Sequence, residues 1–153
     1  LLVEHLQFLL GQWEAGRPAS DDPVALLRAF VDFHVRLHTL RRREVFVANM
    51  ELRSLAPADR RRVVALRRRY EDILTDILRA GTEAGAFHVP DPRIATFAVL
   101  AMLTGVGSWY REGGRLGRRE LVEQYTQLAM QCVGAADTGS ARRAVGANEG
   151  RRD

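Results

Sequence analysis

The 153-residue sequence contains no lysine and a single cysteine, Cys132. One cysteine excludes a disulfide framework and any cysteine-rich zinc site, and it suits a reducing, intracellular setting. No apolar run reaches a comfortable membrane-spanning length. The longest charge-free stretch, Ile94 to Tyr110, has 17 residues and is diluted by Thr96, Thr104, Gly105, Gly107 and Ser108. It is expected to be a helix buried on several sides inside a soluble bundle. Glu4 and His5 interrupt the apolar N-terminus and no cleavage site follows, so a secretory signal is not expected. The chain starts at Leu1 rather than methionine, which suggests a fragment or processed form lacking something N-terminal.

Catalytic signatures are missing as well. There is no Glu-x-x-His pair for a di-iron bundle, no His-Glu-x-x-His, no phosphate-cradling glycine loop and no nucleophile elbow. Gly113-Gly114 has no preceding strand and reads as a turn that needs positive φ.

What is present is an ordinary globular balance, 46% hydrophobic and 27% charged, enough for one domain. All 23 basic residues are arginine, which codon bias in a GC-rich genome explains without invoking selection for the guanidinium fork. Ten arginines fall in residues 41–70 against Glu44, Glu51 and Asp59, a net of +7, while the remainder carries −3. Such a segment can attract anions or form a solvated helix face.

Apolar spacing predicts helices throughout. The first spans Leu2 to Ala15. Asp22-Pro23 caps a second, which is so widely apolar that it should be central. A short piece follows the arginine triplet Arg41–Arg43 and runs to about Leu55, with Pro57 ending it. Ala58 to Ala84 carries the stripe Val63, Leu66, Tyr70, Ile73, Leu74, Ile77, Leu78 and Gly81. On its other face, Arg67 with Glu71 and Arg68 with Asp72 are spaced to pair. Asp91-Pro92 opens the charge-free helix, and a last helix runs from about Arg118 to Val133. Beyond Gly134 periodicity stops, and residues 134–153 are expected to form a disordered tail.

His34 and His38 share one helix face at a spacing that could suit a metal, polar points in an apolar cavity, or structural histidines. No carboxylate accompanies them on that face. Direct DNA binding by the basic helix is disfavoured by its apolar stripe and by Glu71, Asp72 and Asp76, and no helix-turn-helix can be fitted.

The helix order and the segment Glu44-Val45-Phe46-Val47-Ala48-Asn49-Met50-Glu51-Leu52-Arg53-Ser54-Leu55 resemble the C-terminal domain of TetR-family transcriptional regulators. Ala95-Thr96-Phe97-Ala98-Val99-Leu100-Ala101-Met102-Leu103-Thr104-Gly105 and Trp109-Tyr110-Arg111-Glu112-Gly113-Gly114-Arg115-Leu116 add to that likeness. Together they are similar to the branch controlling lipid, acyl-CoA and sterol catabolism in actinobacteria. Over residues 1–133 the resemblance implies an all-α, cytoplasmic effector-binding and dimerisation domain. It also implies a preceding three-helix DNA-binding domain, absent from this chain, through which operator DNA would be reached. Gly117 departs from the serine or threonine that often caps the last helix. No enzyme activity, metal or cofactor is implied; a stand-alone helical enzyme or interaction module is the alternative.

The heptad-like positions Val99, Met102 and Val106, then Leu121, Tyr125, Leu128 and Cys132, are expected to pair with their copies as a four-helix dimer interface. The expected effector is a hydrophobic acyl or polycyclic molecule, such as a coenzyme A thioester. Its walls would be Phe30, His34, Leu37, His38, Phe46, Met50, Tyr70, Leu74, Ile77, Leu103 and Trp109, with Arg53 and its neighbouring arginines for phosphates.

Overall fold

A computed structural model describes residues 2–51 and 54–136 of the chain. Arg53 and residues 137–153 of the expected tail lie outside the described residues. The described residues form helices α1 (Leu2–Gly16), α2 (Pro23–Leu40), α3 (Arg42–Glu51), α4 (Pro57–Glu83), α5 (Pro92–Trp109) and α6 (Arg118–Cys132), with no strand among them. The fold is the all-α bundle that the apolar spacing implies.

Proline sets the register of three starts. Asp22 accepts a hydrogen bond from Val24 N, and Asp91 from Arg93 N and Ile94 N, each just before a proline in the first turn. Pro57 also begins a helix, α4, rather than only ending the piece before it. Gly117 has no side chain to cap α6. Glu120 supplies half of a capping box instead, accepting from Gly117 N at 2.9 Å.

The centre belongs to α2, packed against α4, α5 and α6. Leu27, Phe30, Val31 and Val35 from α2 are completely covered, together with Leu74 and Leu78 from α4. Each such side chain contributes roughly 1.5–3 kcal/mol through burial. Trp13 of α1 meets Phe30 edge-on, ring centroids 5.4 Å apart. Polar ties fix the α4–α5 pairing. The Thr75 and Thr96 hydroxyls are 2.8 Å apart, and Arg93 donates to Glu71 and Asp72 at 2.8 and 2.7 Å.

A smaller apolar cluster, Leu2, Leu6, Ala48, Val63 and Leu66, joins α1, α3 and the start of α4. It shares no buried residue with the main core, although Leu10 of α1 packs against both. Between the two lie His5, His34 and His38, and there the bundle holds a cleft.

The charge-free helix α5 differs from expectation. Only Thr96, Val99, Leu103 and Val106 are buried, while Ile94, Phe97 and Trp109 are 62%, 45% and 50% exposed. It is covered on one side of the protomer, not on several. Among the described residues no helix is long and apolar enough to cross a membrane.

Candidate functional site

A cleft of about 380 Å³ opens between α1, α2, α4 and α5, with α3 at its edge. Its walls include Leu2, His5, Leu6 and Leu9 of α1, His34 and His38 of α2, and Val45 and Ala48 of α3. Arg67, Tyr70 and Glu71 of α4 and Phe97, Leu100, Ala101 and Thr104 of α5 complete it. Helical spacing explains the placement: Leu2, Leu6 and Leu9 on one helix, and Phe97, Leu100, Ala101 and Thr104 on another, each recur every three or four residues.

The two histidines stack, ring centroids 3.9 Å apart and 10° from parallel. His34 is fully engaged: its Nδ1 lies 2.8 Å from the Tyr70 hydroxyl and its Nε2 lies 3.0 Å from the Thr104 hydroxyl. His38 donates from Nδ1 to the His34 carbonyl oxygen at 2.9 Å. Burial holds His34 well below the usual histidine range, and His38 beside it adds to the effect. Burial likewise pushes His38 down to about 4, aided by His5 and opposed by the bond to the His34 carbonyl. Both rings are therefore neutral at pH 7. Burial also drives His5 down, with the Arg41 charge helping and Glu44 opposing, and it raises Tyr70. The cleft is mostly apolar, with a short ladder of neutral hydrogen-bonding groups and with Arg67 and Glu71 of α4 in its wall.

His5 also borders a second cleft of about 440 Å³, lined by Glu4, Phe8, Arg41, Arg43, Glu44 and Val47. Arg41 lies over the Phe8 ring, 4.1 Å from its centroid, and pairs with Glu44 at 3.3 Å. Arg42 points elsewhere and donates from Nε to the Gly107 carbonyl at 2.7 Å, tying α3 to the end of α5.

Of the expected wall residues, His34, His38 and Tyr70 line the cleft. Phe30 lies against them, 5.4 Å from Tyr70 and 6.0 Å from His34 between ring centroids. Leu37, Leu74, Ile77 and Leu103 are buried in the core and do not line it. Phe46 and Met50 stand 66% and 63% exposed on α3, whose short length leaves that side uncovered. Trp109 stacks on Tyr125 of α6, outside the cleft. His5, Leu6, Leu9, Phe97, Leu100, Ala101 and Thr104 were not anticipated there. The polar Thr104 within a charge-free helix was the signal that could have pointed to it. No group of three or more metal-ligating side chains occurs among the described residues.

The expected dimer positions divide. Val99, Val106 and Leu121 are covered by their own protomer, so they fill the monomer core and cannot be surface contacts. Met102 and Tyr125 are partly covered, while Leu128 and Cys132 are exposed. An outward apolar face therefore remains on α5 and α6, formed by Met102, Trp109, Tyr125, Leu128 and Cys132.

The described residues thus form a helical bundle with an open, mostly apolar cleft and an uncovered apolar face on α5 and α6. The chain belongs to the tetracyclin repressor-like C-terminal domain family, whose model matches residues 20–133, and is thus the C-terminal domain of a TetR-family regulator. Among solved structures it is similar to a TetR-family regulatory protein from Rhodococcus RHA1. That likeness has 28% identity and a TM-score of 0.81, over 89% of this chain and 72% of that one. The TetR-family regulator PfmR from Thermus thermophilus shares 32% identity, with a TM-score of 0.70 over 85% and 73% of the two chains. AibR, solved with isovaleryl coenzyme A and operator DNA, shares the fold at 20% identity and a TM-score of 0.72, over 88% and 74%. Comparison with curated proteins gives no significant match.

Proposed function

We propose that this chain is the effector-sensing and dimerisation domain of a TetR-like repressor and that the effector is a hydrophobic acyl or polycyclic molecule carried as a coenzyme A thioester. The observation that carries the reading is the cleft between the two apolar clusters: mostly apolar walls, a few neutral polar groups beside Arg67 and Glu71, and a second, arginine-bearing cleft adjoining it at His5. The acyl part occupies the first cleft, and the phosphates run past His5 to Arg41 and Arg43. Guanidinium groups bind phosphate oxygens in bidentate fashion. Arg42 has a structural duty to Gly107 and is left out of this role. That the same fold holds an acyl-CoA in AibR is consistent with the idea.

Signalling follows from α1. Leu2, Leu6 and Leu9 contribute one wall of the cleft, so an effector touches the helix that would lead to a DNA-binding domain. An effector shifts the position of α1 only by binding one arrangement more tightly than another; a hundredfold difference supplies about 2.7 kcal/mol.

Calorimetric titration with long-chain and sterol-derived acyl-CoA compounds tests the reading. CoA thioesters should bind at least about tenfold tighter than the matching free acids, and replacing Arg41 and Arg43 by alanine should remove that margin. Equal affinity for acids and thioesters, or an unchanged margin in the double variant, would refute the thioester.

A further inference from the structure

We infer that the cleft selects an effector that presents a hydroxyl group to Nε2 of His38 and disfavours the corresponding ketone. The inference rests on the reading of this cleft as the effector site and adds the polarity of one uncommitted hydrogen-bonding atom in its wall.

Nδ1 of His38 faces the backbone carbonyl of His34 at 2.9 Å. A carbonyl oxygen can only accept, so this nitrogen carries the ring proton. His38 is 6% exposed and its ring lies flat against the neutral His34 ring, where a charge would be costly. It is neutral, and its Nε2 bears a lone pair.

That lone pair has no partner among the described residues. The only sealed-off side-chain polar atom there that lacks a partner is Nε1 of Trp13. Nε2 of His38, without a partner and not among the sealed-off atoms, keeps some exposure, and the residue lines the cleft. His34 offers nothing further, since both of its nitrogens are occupied by Tyr70 and Thr104. The Thr104 hydroxyl can turn to donate or accept and so discriminates little. His38 cannot: protonating Nε2 would require giving up the bond to the carbonyl or charging a buried ring. A hydroxyl satisfies Nε2, whereas a ketone sets one acceptor against another and leaves it unpaired.

Menthol and menthone are a suitable probe pair, equal in carbon skeleton and differing only in hydroxyl against ketone. In calorimetry on the full chain, menthol should bind at least about tenfold tighter, the size of one net hydrogen bond. His38→Phe keeps a ring against His34 but removes the acceptor, and it should bring the ratio close to one. Nitrogen-15 chemical shifts of the unmodified chain should show His38 protonated at Nδ1 and bare at Nε2, whatever the variant's stability. Equal binding, tighter menthone binding, or a proton on Nε2 would overturn the hydroxyl rule while leaving the effector cleft standing. Failure of both compounds to bind would overturn the cleft as an effector site, and the rule with it.

Discussion

His38 is the residue whose environment makes the clearest demand. Its imidazole is neutral in the folded chain and protonates only near pH 4, whereas in an unfolded chain it protonates near 6.5. The folded-state value is depressed, so below pH 6.5 the unfolded state binds the extra proton first. Stability is complete above that pH and falls as the pH drops toward 4, by up to about 1.4 kcal/mol per pH unit for each such histidine. His34, shifted in the same direction, adds to the slope. Urea denaturation between pH 7 and 4.5 should show this decline, and His38→Phe should flatten it. A slope unchanged by the variant would contradict the assignment. Gly81 makes a second demand. A Cβ there would run into the Phe87 ring, which is 2% exposed. Gly81→Ala should therefore destabilise the chain by about 1–3 kcal/mol, read as a lower urea midpoint. The Gly81 position on the stripe is legible in the sequence; its contact with Phe87 is not, because the turn after α4 brings that ring back onto the helix.

At the scale of elements, caps and periodicity carried most of the information. The Asp-Pro pairs at 22–23 and 91–92 locate two helix starts because a capping carboxylate and a fixed φ act locally. Asp91→Ala removes two hydrogen bonds at the start of α5 and should cost about 1 kcal/mol, a fall of roughly 2–4 °C in Tm for a chain of this size. What periodicity could not show is which apolar side of α5 faces inward. Val99 and Val106 point to the protomer core because α2 and α4 occupy that side, and the remaining apolar residues are left outward. The α5–α6 face is the surface on which we propose that two copies meet. Leu128 is 47% exposed, so Leu128→Arg leaves the protomer's core intact while placing a charge at the seam. Sedimentation at tens of micromolar should show a dimer for the unmodified chain and a folded monomer for the variant. A dimer in both would place the interface elsewhere.

Across the whole molecule, the cleft is walled by members of two apolar clusters that meet at Leu10, with polar side chains between them. This is where sequence reading reached its limit. His34 and His38 could be marked as polar groups in an apolar helix and Tyr70 as part of an apolar stripe, but Leu74, Ile77 and Leu103 look the same in sequence whether they line a cavity or close a core. The approach of α1, which brings His5, Leu6 and Leu9 into the site, depends on packing distant in sequence. The exposed Phe46 and Met50 mislead for the opposite reason, since hydrophobicity alone does not say that a short helix has nothing covering it.

The central claim, that a paired domain holds one hydrophobic thioester in each protomer, is tested most directly by native mass spectrometry of the full chain with a long-chain acyl-CoA. The account predicts a species of twice the 17.2 kDa chain mass carrying two thioester molecules, with Leu128→Arg shifting it to a singly loaded monomer. A dimer that remains empty at ligand concentrations of tens of micromolar, or a bare monomer of the unmodified chain, would contradict it.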